Sequence, residues 1–301
     1  MDKSDFEVII IGGSYAGLSA AMSLGRSLRE TLVIDSGKPC NAQTPNSHNF
    51  LTQDGQTPTQ IAQIGKEQVK RYSSIHFYEG SATDGRKVNE GFEISTESGD
   101  TFKAKKLIFA TGLKDIMPDI PGYAECWGIS VIHCPYCHGY EVKHEKTGIL
   151  GNGEAGFEYA KLISNWTKDL TVFTNGPSQF TPEQSAKLSK HNIHIVEKAI
   201  SSLVHKAGRL SKIIFNDHTE EAITAIYSRP VFEQHSHIPE QLGCAFTETG
   251  LLKLENFQQT TVPGIFAAGD NSNQARSVAM SVSSGSMAGA LVNGELIREW
   301  F

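Results

Sequence analysis

The 301-residue sequence has no excess of basic charge: 27 Lys plus Arg stand against 33 Asp plus Glu, a formal net charge of −6 with histidine neutral. Nucleic-acid proteins usually present a basic face, so no nucleic-acid partner is expected. Long apolar runs are missing too. The longest near the N-terminus is Val8-Ile9-Ile10-Ile11, far short of the roughly 18 residues of a membrane span, and no small-residue cleavage site follows a stretch of signal length. The expectation is a cytoplasmic protein with no membrane partner. Cysteine is scarce, five in all, which excludes a disulfide-stapled scaffold. Cys40, Cys126 and Cys244 are isolated and are expected to pack as plain buried thiols. No low-complexity tract is present. What the sequence does have is glycine, 28 residues in clusters, and clustered glycine marks tight backbone work.

The length suggests two domains. Phe6-Glu7-Val8-Ile9-Ile10-Ile11 is β-branched and largely unalternated, as a fully buried parallel strand should be. The turn Gly12-Gly13-Ser14-Tyr15-Ala16-Gly17 follows, then a helical stretch from Leu18 to Leu28 and a second strand, Thr31–Asp35. This βαβ unit returns mid-chain as strand 147–150, turn Gly151-Asn152-Gly153-Glu154-Ala155-Gly156, helix 157–165 and strand 170–174. Between the two, Lys106–Gly112 reads as a strand ending in a glycine turn, and Pro118, Pro121 and Gly122 read as a linker. Strand-like segments 193–196, 210–215 and 222–228 continue the second domain up to a break near Arg229-Pro230. Gly264–Asp270 and a helix from Ser277 to Trp300 complete the chain. The fold class is α/β, with two Rossmann-like three-layer domains.

A pyrophosphate needs backbone N–H donors at a helix N-terminus and an approach unobstructed by Cβ atoms. Gly12 and Gly17 hold the outer positions of such a turn. Ser14 replaces the middle glycine, with Gly13 beside it, and Ala16 completes the run. Asp35, 18 residues past Gly17, ends the second strand, where a carboxylate can accept from ribose hydroxyls. A tight strand–helix turn with no ligand is the plain structural alternative. Gly269-Asp270 is a second anchor, suited to a polyol hydroxyl or to an ordinary turn.

The sharpest feature is His133-Cys134-Pro135-Tyr136-Cys137-His138-Gly139-Tyr140-Glu141. Three chemistries compete for it. Cys-x-x-Cys-His is also the pattern of c-type haem attachment, which belongs to exported proteins. A structural zinc needs four closed ligands; there is no second Cys-x-x-Cys, and His133, His138 and His144 flank the same loop. A redox-active disulfide needs only the two thiols, whose pKa such spacing can lower towards roughly 7. No metal is expected.

In order, the two glycine turns, Ala110-Thr111-Gly112, Cys134–Cys137 and Gly269-Asp270 resemble the low-molecular-weight thioredoxin reductase family over essentially the whole chain. The resemblance implies an FAD-binding domain of residues 1–115 plus 231–301, with a nicotinamide-type domain, residues 116–230, inserted in it. It also implies a homodimer and a redox disulfide in the inserted domain. Gly12, Gly13, Ser14, Ala16, Gly17, Asp35, Thr111, Gly112, Gly269 and Asp270 would then lie on FAD-binding positions. Gly151, Gly153 and Gly156 would lie against NADPH or NADH. Cys137 would be the sulfur nearest the flavin, and Cys134 the interchange thiol that meets the substrate.

Two departures shape the reading. The family commonly carries Asp after its second cysteine; here His138 stands there, able to transfer the same proton, with Glu141 a second candidate. The family's arginine pair for a 2′-phosphate is missing from Phe173-Thr174-Asn175-Gly176-Pro177. Cys134–Glu141 is also similar to the branch of dithiol oxidases of disulfide natural products, as is Asp35–Pro39 with Asn41 and His48. The expected function is an FAD-dependent dithiol/disulfide oxidoreductase with NAD(P)H as donor, acting on a thioredoxin-like protein or a small molecule. The alternatives are an oxygen-dependent dithiol oxidase and a flavin-bound redox sensor without turnover. Direction is open because about 30 mV is only about 1.4 kcal/mol for a two-electron couple.

Overall fold

A computed structural model describes residues 4–301. The described chain forms two compact units: residues 4–42, 50–114 and 232–301 make the first, and residues 43–49 and 115–231 the second. Sequence reading places segment 43–49 with the first; it packs with the second instead.

The first unit is built on a nine-stranded sheet. Its parallel core runs Ile265–Ala267, Thr101–Phe109, Asp5–Ile11, Thr31–Asp35, Ile75–Glu79. Asp5–Ile11 lies in the middle, with Ile11 beside Ile34 on one side and Phe109 on the other. Its unalternated sequence has a direct cause, because both faces are covered. Phe6, Ile9 and Ile11 enter one buried cluster with Leu107 and Phe109. Val8 and Ile10 enter another with Ile108 and helix residues Leu18, Ala21 and Leu24. The hairpin Ala82–Val88 and Gly91–Thr96 joins Thr101–Phe109 edge-on in antiparallel register.

The helix Tyr15–Arg26 packs along the long helix Val278–Trp300. A Cβ added at Gly285 would lie 2.1 Å from Ala16 O, and one at Gly289 2.6 Å from Ala20 O. Only glycine permits this approach, and it brings serine hydroxyls within reach of backbone: Ser19 Oγ donates to Val282 O at 2.7 Å. The side chain of Lys106, buried on the strand Thr101–Phe109, reaches the same long helix through Glu295 (3.0 Å) and Glu299.

The second unit repeats the architecture. Its five-stranded parallel sheet runs His194–Val196, Leu170–Phe173, Thr147–Leu150, Ala225–Ser228, Val131–Ile132. A separate antiparallel sheet holds Ile200–Lys206, Arg209–Phe215 and Glu220–Ala222. The single strand expected over 222–228 is therefore two strands in different sheets.

Both glycine-turn helices begin earlier than their apolar pattern suggests, at Tyr15 and at Gly153, because the turn residues themselves take up the first helical turn. Cys126 and Cys244 are buried, as expected; Cys40 is exposed, since it sits in the loop after Thr31–Asp35 rather than in a core. Among the described residues no helix is long and apolar enough to cross a membrane.

Candidate active site

In the first unit the carboxyl ends of three adjacent strands meet. Gly12 ends Asp5–Ile11 with φ +105°, and a Cβ there would lie 2.2 Å from Ala110 O. Its N–H donates to Ile34 O at 2.8 Å, and Ala110 N–H donates to Ile11 O at 2.8 Å. Gly17 is equally constrained, its absent Cβ falling 1.8 Å from Gly12 O. Asp35 Oδ1 accepts from Gly13 N–H at 3.0 Å, and a Cβ on Gly13 would touch the Asp35 side chain. The structure thus gathers Gly12, Gly13, Gly17, Asp35 and Ala110-Thr111 into one corner. In open parallel sheets ligands bind at such a switch point, outside the carboxyl ends of the strands.

The helix that starts there is unusual in what it leaves open. Its N-cap, Ser14, makes no side-chain hydrogen bond to the first turn, and that turn holds no acidic residue. Neither a capping side chain nor an acid of its own first turn offsets the positive end of its dipole, the setting that favours an anion.

Gly269-Asp270 arrives on the neighbouring strand Ile265–Ala267. Gly269 N–H donates to Ser284 Oγ at 2.9 Å. The carboxylate of Asp270 accepts from Arg276 Nε at 3.3 Å and from Ser281 Oγ at 3.5 Å. The long helix does not begin directly after this pair but at Val278, capped by Ser277, whose Oγ accepts from Met280 N–H at 3.2 Å.

Two residues of this corner escape the sequence reading. Arg276 is one. The other is Asn271, fully buried, whose Nδ2 donates to Phe109 O at 2.8 Å and to Thr111 Oγ1 at 3.4 Å. Its Oδ1 is buried without a hydrogen-bond partner. In the sequence Asn271 is only one more polar residue after Gly-Asp; its burial shows in the fold alone.

The corner fits a dinucleotide. It has a Cβ-free approach, an uncapped helix N-terminus, a carboxylate at the end of the second strand and an orphaned buried amide oxygen.

The second glycine turn is different. Gly153 has φ +58°, and Asn152 caps the helix Gly153–Ile163 with its own side chain: Oδ1 accepts from Gly153 N–H at 2.9 Å and from Gln179 N–H at 2.8 Å. Asn152 Nδ2 donates to Pro177 O at 2.9 Å. Glu154, in the first turn, accepts from Gln184 Nε2 at 2.6 Å. The loop after Leu170–Phe173 is therefore tied down across the turn.

The cysteine pair lies in the same unit, just past the carboxyl end of the edge strand Val131–Ile132. His133 stacks on Trp127 at 5.6 Å between ring centroids, and its carbonyl accepts from Tyr159 OH at 2.6 Å. Pro135 occupies the first position of the short helix Pro135–His138, where its fixed φ suits a helix start and its missing N–H costs nothing. That turn brings the Cα atoms of Cys134 and Cys137 to 5.2 Å, and the two sulfurs form a disulfide. Cys137 N–H donates to Cys134 Sγ at 3.2 Å. His138 lies in the same turn; burial pushes its pKa down, Glu141 opposes this, and His48 reinforces it. A histidine held towards its neutral form, one residue past Cys137 in the same helical turn, is of a type that can accept a thiol proton. No cluster of possible metal ligands occurs among the described residues.

Comparison with known proteins agrees with this chemistry. The model of the pyridine nucleotide-disulphide oxidoreductase family matches residues 6–288. The chain belongs to that family. The chain is 34% identical over 304 residues to thioredoxin reductase tcpT of Claviceps purpurea, covering 97% of this chain and 95% of that one. It is 33% identical over 307 residues to thioredoxin reductase sirT of Leptosphaeria maculans, covering 96% and 94%. Among solved structures, the oxidoreductase from Agrobacterium tumefaciens superimposes with a TM-score of 0.91 at 36% identity, over 98% of this chain and 99% of that one. As a member of this family, and with a closed cysteine pair, the chain is an FAD-dependent oxidoreductase of the thioredoxin reductase type, acting on disulfides or dithiols.

Proposed function

We propose that this oxidoreductase runs in the oxidative direction, converting a dithiol substrate to its disulfide through Cys134 and Cys137, with oxygen as the final acceptor. The observation that carries the thiol chemistry is the Cys134–Cys137 disulfide with His138 in the same helical turn. The observation that favours the direction is the second glycine turn: Asn152 and Gln179 close it, and the adjoining Phe173–Pro177 carries no Arg or Lys. A nicotinamide dinucleotide, NADPH above all, would find the first amide of that helix engaged and no cation for its 2′-phosphate.

In this reading residues 1–115 and 231–301 hold FAD through Gly12, Gly13, Ser14, Ala16, Gly17, Asp35, Thr111, Gly112, Gly269 and Asp270. When bound, FAD supplies the two-electron exchange partner of the cysteine pair. The remaining chemistry belongs to the chain. His138 takes the proton of a substrate thiol, and the resulting thiolate attacks Cys134. The Cys134–Cys137 bond breaks, and Cys137 leaves as a thiolate. The second substrate sulfur then displaces Cys134, so the substrate leaves as a disulfide and the enzyme holds two reduced sulfurs. Gly151, Gly153 and Gly156, with residues 116–230 around them, keep the form of a nicotinamide site without its grip. The reading extends to a cytoplasmic homodimer; sedimentation of the holoprotein at twice the 32.8 kDa chain mass checks the second part.

The test is an anaerobic titration of the flavoprotein. A dithiol is expected to bleach the flavin within seconds and air to restore it, while NADH and NADPH leave it oxidised. Rapid bleaching by either nicotinamide reinstates the reductase direction. Protein that emerges colourless and refuses FAD overturns the reading entirely. Cys134→Ser that still turns over dithiols would make the pair a bystander, as in a sensor.

A further inference from the structure

Glu141 follows His138 in the same loop, and its Oε1 lies 3.4 Å from Nε2 of His48. His48 comes from segment 43–49, which packs with the second unit although it lies far earlier in the chain. The side chain of His48 is 23% exposed and that of Glu141 41%. Both members of this partly exposed pair act on the half-buried imidazole of His138, three residues before Glu141. From the sheet side, the buried phenol of Tyr227, on Ala225–Ser228, lies within the field of the Glu141 carboxylate. Its hydroxyl has no hydrogen-bond partner, and burial holds it in the protonated form. Lys143, the nearest cation in sequence, is turned onto the Tyr140 ring, 3.2 Å from its centroid.

We infer that Glu141 is a positioning residue coupling His138 to His48, so that the proton taken from a substrate thiol leaves the redox turn through the Glu141–His48 pair. The inference rests on the dithiol reading above. Its balance is explicit. Two S–H bonds of the substrate and the Cys134–Cys137 bond break, and one S–S bond forms in the product. Two electrons pass to the enzyme sulfurs, which retain one proton on Cys134 and leave Cys137 as a thiolate. One proton is left over, and His138 must shed it before the next turnover.

The two partners act on His138 with opposite signs: the Glu141 carboxylate favours the imidazolium, and His48 disfavours it. This gives a signature that a merely structural role would not produce. The experiment measures the pH dependence of kcat/KM for dithiothreitol oxidation by the holoprotein and by Glu141→Gln and His48→Asn, each confirmed to retain flavin. The ascending limb, on which His138 loses its proton, is expected to move to lower pH in Glu141→Gln and to higher pH in His48→Asn. Each shift is expected to be about 0.5–1 pH unit, with a lowered plateau in Glu141→Gln. Limbs that coincide with wild type, or shift in the same direction, overturn the inference while leaving the dithiol reading intact. Wild-type protein whose flavin no dithiol bleaches overturns that reading and the relay with it. Should Glu141→Gln fail to fold, the upward shift in His48→Asn supports the relay and its absence overturns it.

Discussion

The two glycine turns of this chain share a motif, a topology and a place at the carboxyl end of a central parallel strand, yet they present opposite surfaces. The first leaves its helix N-terminus uncapped and free of acid. The second fills the same place with Asn152, Gln179 and Glu154. The glycines create room for a backbone to approach a phosphate; what neighbours do with the amides decides whether a phosphate is wanted. A motif read without those neighbours gives both turns the same meaning.

A methyl group added to each turn in parallel separates the two most strongly. Gly17→Ala places a Cβ 1.8 Å from Gly12 O, a clash that costs about 3 kcal/mol or more. Purified protein is expected to lose at least about nine-tenths of its flavin, read as the ratio of 450 to 280 nm absorbance, or to be insoluble. Gly156→Ala meets the backbone of Gly151, C at 2.9 Å and O at 3.2 Å, a clash that forces a backbone shift but is looser than the one at Gly17. It is expected to cost about 1–2 kcal/mol, a few degrees in Tm, with flavin content and dithiol turnover retained.

Asp35→Asn comes next. It weakens a charge-assisted acceptor at the end of the second strand, worth about 1.5–3 kcal/mol. FAD Kd is expected to rise about tenfold or more by fluorescence titration. An unchanged Kd would remove Asp35 from the site. The mildest change acts on the second turn alone. Asn152→Gly frees the Gly153 and Gln179 amides at a stability cost of a few tenths of a kcal/mol. NADH-driven bleaching of the flavin is expected to rise above the wild-type level. If it does not, the cap is not what keeps nicotinamide out.

Much of the fold is legible in the sequence, because its parallel strands are covered on both faces and so read as unbroken apolar runs, such as Val8–Ile11 and Leu107–Phe109. Less legible is the hairpin Ala82–Val88 and Gly91–Thr96. Its first strand is largely exposed, so burial writes no pattern into it. The cysteine pair is legible because its chemistry is local: four consecutive residues fix the ring. The contact between His48 and Glu141 is not, because it depends on segment 43–49 leaving the unit that surrounds it in sequence. Asn271 escapes for a related reason, since its importance lies in the strand end it meets, not in its own neighbours. Cys40 escapes because an isolated cysteine carries no signal that separates a loop from a core.

The close seat of Ala16 and Ala20 against Gly285 and Gly289 has a consequence for how the protein comes into being. Contacts so distant along the chain are slow to form, and during translation the earlier helix must wait, its small-residue face uncovered, until the ribosome has passed the whole intervening unit. Assembly of the first nucleotide corner is thus a late event in biosynthesis, and a stalled or truncated nascent chain would display that face to chaperones.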